Sequence, residues 1–425
     1  MLSVVALAVL LGLLAFGVPI FLALGMVSVG MLALEGRPLF DAALTAISGL
    51  NSSAFVAVLF FVIAAKFMES GGVARVLIEA AEAWVGWLRG GIGLVAVLGT
   101  TFFASVSGSS VVTAMTMGTL LIPIMVAKRY DRHFALGTLG AAGTLGILIP
   151  PSLSMILYGL VANESVAQLF LAGVVPGLLQ AVILGVFVVL YSRRKGYVSG
   201  ERPSREEFIA RNVRAVPALL IPLVVFVGIY GGYTSVAESA ALAAIVSLGV
   251  AMFAYREIHG RDIFSLITDA VKSAGAITFI VMFAMLFAHW LTGSGVPTAI
   301  VDFAVGKDLE PWQFLLYLSV IMIVLGTVLD AIAVLLIVTP IVLPTLAGLG
   351  IDRLHFGIVL IVNMEIAFLT PPLGLNLFVL SNIAKAPIAE TIRGVAPFVA
   401  LLLGFLLIVI SFPELSLWLP NAFYG

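Results

Sequence analysis

Apolar residues come in long runs along this chain, divided by short polar joints, and the run lengths set the elements. Nine runs suit a full bilayer crossing: 4–34, bent near Pro19, then 52–68, 134–161, 169–191, 216–232, 236–255, 274–291, 355–384 and 395–412. A crossing takes about 20 apolar residues as an α-helix, which satisfies its own backbone in hydrocarbon. Two further runs, 92–126 and 313–347, have length for two half-depth helices each. Their centres are small or polar: Ser105-Val-Ser-Gly-Ser-Ser110 in one, Gly326-Thr-Val-Leu-Asp330 in the other. Both are expected to be re-entrant hairpins, the alternative being ordinary paired spans with a tight turn. Over 73–88, Arg75, Glu79 and Glu82 oppose Val76, Leu77, Ala80 and Trp84, the pattern of a helix lying along a membrane surface.

The second half repeats the first about 221 positions on. Pro150-Pro151 falls on Pro371-Pro372, Pro123 on Pro344, Asp131-Arg132 on Asp352-Arg353, Gly173 on Gly394 and Pro176 on Pro397. GRPLF at Gly36–Phe40 also resembles GRDIF at Gly260–Phe264, each ahead of an amphipathic stretch that could form an interfacial helix. A diproline inside apolar sequence breaks a membrane helix, and exposed peptide groups at that depth are tolerated only where they line a cavity or bind something. Each unit holds four full spans, so the odd span 216–232 turns the second copy over. The expected fold is an all-α polytopic membrane protein with two inverted-topology repeats, each bearing a re-entrant hairpin and a Pro-Pro-broken helix. Its parts are 1–191 as first repeat, 192–235 as basic loop and connecting span, and 236–425 as second repeat.

Composition agrees, with 62% hydrophobic and 10% charged residues. The longest polar run, Ser192–Arg214, is too short to fold alone, and the absence of cysteine excludes disulfide and thiol chemistry. The first run lacks a basic lead and is too long for a cleavable signal. With a cytoplasmic N-terminus, only Arg37, Lys307 and Arg353 of the 21 Lys and Arg fall outside, leaving 18 inside. That asymmetry orients membrane proteins. It sets 92–126 on the cytoplasmic face and 313–347 on the outer face, with the C-terminus outside.

Two constellations carry candidate chemistry. In the first, hydroxyls of Ser105, Ser107, Ser109 and Ser110 join carbonyls freed by Pro150 and Pro151 near Gly146–Ser152. Hard cations take oxygen ligands, and half-helix C-termini carry negative partial charge; close helix packing through small residues is the competing account. In the second, Asp330 occupies the partner position of Ser109 and faces Thr370-Pro371-Pro372-Leu373-Gly374-Leu375-Asn376. An intramembrane carboxylate costs roughly 2.5–3.5 kcal/mol on insertion scales, which argues for function; capping a helix start explains it equally. Asn376 could hold an ion or a substrate, or cap its own half-helix. Glu365 could be a proton or cation site. Lys66 reads as snorkelling, His289-Trp290 as an interfacial belt, and Ser235-Val-Ala-Glu238 as a capping box. Walker, HExxH and GxSxG motifs are missing, so an enzyme or an ATP-driven pump is not expected, and nothing points to nucleic acid or a cofactor. Energy would come from an ion gradient or another subunit.

The stretches SVSGSSVVTAMTMGTLLIPIM (105–125), FALGTLGAAGTLGILIPPS (134–152), LFLAGVVPG (169–177), GIDRLHFGIVL (350–360) and TPPLGLNLF (370–378) resemble the large membrane subunit of tripartite ATP-independent periplasmic (TRAP) transporters. The likeness covers nearly the whole chain, whose length fits an unfused DctM-like subunit. It implies an ion-transporter-like elevator architecture in a bacterial or archaeal cytoplasmic membrane. It also implies a small four-helix membrane subunit, a periplasmic binding protein, sodium coupling and a small carboxylate substrate. Carried over by motif, one sodium site uses Ser105, Ser107, Gly108, Gly146 and Pro150, and the other Gly326, Asp330, Thr370 and Pro372. Substrate would lie near Ser109, Ser110, Gly374 and Asn376. Two stretches depart from the family pattern. The segment Thr234–Ser239 keeps Glu238 but lacks the proline usual there, and Val111–Thr116 replaces an acidic or alanine-rich stretch. A stand-alone anion symporter is the nearest rival, with a proton-coupled carrier or a channel behind it.

Overall fold

The computed structural model describes residues 2–38, 40, 44, 47, 52–197 and 200–425. Among these, all regular structure is helical, in nineteen α-helices and one π-turn. The first half runs α1 (Leu2–Ala15), α2 (Ile20–Leu34), α3 (Ser53–Ser70), α4 (Val73–Val85), α5 (Gly91–Ser107), α6 (Ser110–Ala127), α7 (Arg132–Leu148), α8 (Leu153–Ala162) and α9 (Val166–Lys195). The connecting helix is α10 (Arg205–Tyr230). The second half runs α11 (Val236–Gly249, continued by the π-turn Val250–Ala254), α12 (Gly260–Gly293), α13 (Val296–Gly306), α14 (Pro311–Val328), α15 (Ala331–Gly348), α16 (Arg353–Phe368), α17 (Leu375–Ala384), α18 (Ile388–Ser411) and α19 (Glu414–Tyr424).

Local chemistry sets the boundaries. Serine hydroxyls of Ser165, Ser204 and Ser235 accept from amides of Gln168, Glu207 and Glu238, and the Ser235–Glu238 capping box is complete. Asp131 and Asp352, in register across the repeat, each stand at the N-cap of a broken helix. Asp352 accepts from Leu354 and His355 amides, whereas Asp131 pairs with Lys195 at 3.0 Å. Gly72, at φ 76°, turns the chain by 66° between α3 and α4. A helix therefore forms over most of the amphipathic stretch 73–88, and its charges are tied down. Arg75 meets Glu257 at 3.2 Å, Glu79 meets Arg214 at 3.6 Å, and Glu82 meets Arg211 at 2.8 Å.

Among the described residues, seven helices are long and apolar enough to cross a bilayer singly, and two bent pairs raise the total to nine. These are not the nine runs read from the sequence. Run 4–34 is two short helices broken at 16–19, and α6 and α15, the second hairpin arms, pass the test alone. Both hairpins form, but their arms of 17–18 residues rise about 26–27 Å at 1.5 Å per residue. They are near full depth, not half depth. The stretch after Gly260–Phe264 is no separate interfacial helix but the start of the 34-residue α12. Most of its counterpart after Gly36 lies outside the described residues.

Helix order repeats at the 221-residue offset, pairing α2 with α11, α3 with α12, α4 with α13, and α5–α9 with α14–α18. Contacts between the halves come in exchanged pairs. Helix α3 packs on α11 as α12 does on α2; α6 packs on α17 as α15 does on α8; α7 packs on α18 as α16 does on α9. This exchange is the pattern that an approximate two-fold relation between the halves would give. Glycine makes the tightest seam: a Cβ on Gly137 of α7 would lie 2.0 Å from the Gly394 carbonyl of α18. Small residues let membrane helices approach this closely, since burial against lipid supplies little driving force.

Candidate functional site

In the first half the hairpin tip and the diproline break are pinned together. Helix α5 ends on Ser107, Gly108 turns at φ 63°, and Ser109 opens α6. The Gly108 carbonyl accepts from the Leu153 amide at 3.2 Å, the first helical residue after the break. Pro150 and Pro151 have no N–H, so the carbonyls of Gly146 and Ile147 lose their helical donors. The Ser152 hydroxyl donates to Ile147 at 2.6 Å. Gly146 abuts the tip; a Cβ there would stand 2.6 Å from the Ser109 carbonyl and 2.7 Å from the Thr113 hydroxyl. The hydroxyls of Ser107 and Thr113 are hydrogen-bonded to each other. Ser107, Gly108, Ser109, Gly146 and the Pro150-Pro151 break therefore assemble as one oxygen-rich cluster. Thr113, buried and one turn into α6, joins it and was missed in the sequence. Ser105 stands apart, its hydroxyl donating to Phe102 of its own helix at 2.8 Å.

The second half repeats the arrangement with different side chains. The Leu373 amide, just past Pro371-Pro372, donates to the Thr327 carbonyl at 3.1 Å and pins this tip to its own break. Gly326 lets α14 touch α16, for a Cβ there would lie 2.5 Å from the Ala367 Cβ. Asp330 caps α15 by accepting from the Ile332 amide at 3.2 Å, so the capping account of this residue holds. Thr370 donates its hydroxyl to Ile366 at 2.7 Å, and Gly374 opens α17.

One hydrogen bond crosses between the halves here. Asn376 Nδ2 donates to the Ser110 Oγ at 2.8 Å, with both residues fully buried, and Asn376 Oδ1 has no partner among the described residues. Two of the substrate positions expected from sequence thus meet. A second crossing lies deeper. Gln180 Nε2 on α9 donates to Glu365 Oε1 at 3.1 Å and lies 3.5 Å from the Thr144 hydroxyl. Thr144 and Glu365 are partner positions at the 221 offset, so this bridge joins the two broken helices. Sequence reasoning missed Gln180, although an amide in the middle of a 30-residue helix, flanked by apolar residues on both sides, is a signal in itself.

Beside the first tip lies a cavity of about 220 Å³ walled by Ser107, Gly108, Ser109, Pro151 and, from α3, Lys66 and Glu69. Lys66 pairs with Glu69 at 2.9 Å and lines this cavity. Trp290 departs from expectation too: it is buried and donates to Glu35 at 2.9 Å, leaving only His289 exposed. Among the described residues no group of three acidic, His or Cys side chains could chelate a metal ion. What the site offers is hydroxyls, carbonyls and helix ends, which suits weak binding and release of ions and small polar solutes.

Residues 7–415 match the family model of the tripartite ATP-independent periplasmic transporter, DctM component. The chain belongs to this family. The C4-dicarboxylate TRAP transporter large permease protein DctM of Pseudomonas aeruginosa is 42% identical over 366 residues, covering 86% of each chain. The isethionate TRAP transporter permease protein DctMQ of Oleidesulfovibrio alaskensis is 35% identical over 95% of this chain, which spans 64% of that longer relative. Among solved structures, the Alcanivorax borkumensis YdaH transporter superposes with a TM-score of 0.60 at 16% identity, covering 88% of each chain, a likeness of fold alone. This DctM component is thus a multi-pass permease subunit of a secondary transporter, not an enzyme.

Proposed function

We propose that this DctM component imports a small organic acid, a C4-dicarboxylate first among candidates, driven by sodium and delivered by a periplasmic binding protein. A small membrane subunit would complete the transporter in the bacterial or archaeal cytoplasmic membrane, with the N-terminus of this chain inside and the C-terminus outside. The observation that carries the reading is the paired docking of each hairpin tip on its own diproline break, joined by the Asn376–Ser110 hydrogen bond. Such breaks expose helix N-termini, which favour carboxylate, and carbonyls, which favour cations. Ser107, Gly108, Gly146 and Pro150 would hold one sodium ion, with Ser105 dropping out unless its hydroxyl turns from Phe102. Gly326, Asp330, Thr370 and Pro372 would hold the other, and Ser109, Ser110, Gly374 and Asn376 the acid. Exchanged contacts between the halves support inverted repeats and an elevator exchange of inward and outward states. The dicarboxylate choice rests on the 42% identical relative, and the separate small subunit on the longer DctMQ relative.

The test is reconstitution in liposomes with the co-purified membrane subunit and binding protein, following labelled succinate, malate and fumarate. Uptake that stops when the binding protein is left out supports the proposal. Uptake by this chain alone at the same rate would replace it with a stand-alone symporter.

A further inference from the structure

We propose that Lys66 is a release station for the transported acid: its ammonium takes the carboxylate leaving the central site, displacing Glu69. The inference rests on the transport reading above and adds a residue that reading does not use. The cavity of about 220 Å³ is lined by Ser109 of the proposed acid site, by Ser107 and Gly108 of the adjoining sodium site, and by Lys66 and Glu69. At this volume, below the roughly 300–1,000 Å³ of drug-sized pockets, it suits an acid of a few carbons.

Two features give the cavity a preference for anions. Ser109 is the N-cap of α6 but makes no side-chain cap bond, so the positive end of an 18-residue helix adjoins the space. On the same cavity, the Lys66 side chain is about one-third exposed (32%) and neutralised by Glu69 on the same helix. The pair is a single contact between neighbouring turns of one helix at the edge of the cavity, so an incoming carboxylate can exchange with Glu69.

Position makes the pair a way-point. Glu69 also lines a second space of about 370 Å³ with Gly72, Arg75, Thr119 and Glu257. Through Glu69 the pair therefore borders both the tip cavity and the space beside the Arg75–Glu257 ion pair. Approximate two-fold symmetry supplies an internal comparison. The partner positions of Lys66 and Glu69 are Phe287 and Trp290, whose side chains are buried. The charge pair is thus built on one side only, as a step confined to the cytoplasmic exit requires. A pair serving only to tolerate a lysine in an apolar helix would not need to face the tip.

The experiment measures half-saturation from each side in liposomes holding the complete transporter: internal succinate in counterflow, and external succinate delivered by the binding protein. Lys66→Met is expected to raise the internal value about tenfold and the external value less than twofold, with Lys66→Arg restoring most of the loss. Glu69→Gln is expected to lower the internal value, a gain that misfolding cannot produce. An unchanged internal value for both Lys66→Met and Glu69→Gln, or equal shifts on the two sides, overturns the release station and leaves transport standing. A wild-type transporter that exchanges no organic acid overturns both.

Discussion

Asp330 is where a structural role and an ionic role have to be separated. One carboxylate oxygen accepts from the Ile332 amide and caps α15, as any N-cap does. Asparagine caps as well but carries no charge, so Asp330→Asn is predicted to keep the protein's thermal stability within about 0.5 kcal/mol while abolishing sodium-dependent uptake. Asp330→Ala should lose both, with about 1 kcal/mol of stability gone. If Asp330→Asn transports with wild-type sodium dependence, the residue is a cap only. Ser107→Ala removes one hydroxyl of the Ser107–Thr113 pair and is predicted to raise the sodium concentration for half-maximal uptake several-fold, as measured by sodium titration of succinate uptake. Charge also matters at the base of α7, where the hydrogen-bonding Lys195 ammonium holds the Asp131 carboxyl below the usual carboxylate range. A depressed carboxyl stabilises the fold above its unfolded pKa of about 3.9 and loses that contribution as pH falls through the folded value. Lys195→Met should therefore leave the pH dependence of thermal stability unchanged between pH 6 and 8 and blunt it only in acid.

At the level of elements, the hairpins and breaks were legible because the signals are local. Pro150-Pro151 and Pro371-Pro372 stop helices wherever they occur, and Gly108 and Asp330 mark turns by their own backbone preferences. Helix lengths were not legible. A change of composition does not by itself end a helix, so α12 runs unbroken from the charged stretch Arg261–Lys272, expected at the surface, into the apolar span. The hairpin arms were judged too short. Packing of α7 on α18 depends on Gly137 and Gly394, and Gly394→Leu would force a side chain against the His133 carbonyl, 2.1 Å from the Cβ position. Overpacking of this kind costs about 1–3 kcal/mol. The variant should show a lower melting midpoint by fluorescence-detected size exclusion, and an unchanged midpoint would mean the seam yields easily. Motion between elements can be tested too, since the chain has no cysteine. Val112 of α6 and Ile277 of α12 line the same cavity. Cysteines at both, joined by a short bifunctional reagent, are predicted to halt uptake reversibly, whereas either single cysteine should not; full activity of the joined pair would argue against movement of the hairpin past α12.

Over the whole molecule, the helix order recurs at the offset read from the sequence, because a constant offset survives even where side chains differ. The structure adds what no offset contains: which helices exchange partners across the halves, and which polar groups meet there. Asn376 with Ser110, and Gln180 with Glu365 and Thr144, are contacts between segments far apart in the chain, so their joint meaning emerges only on folding. The place of Lys66 at a cavity wall likewise depends on α5, α6 and α12 rather than on its neighbours in sequence. The central claim is that oxygen ligands at the two tips couple acid import to sodium. It is tested most directly by succinate uptake into liposomes containing the complete transporter, with membrane potential clamped and the proton gradient collapsed. An inward sodium gradient is predicted to drive accumulation above equilibrium that vanishes when sodium is equal on both sides; accumulation that ignores sodium and follows an imposed proton gradient would contradict the account.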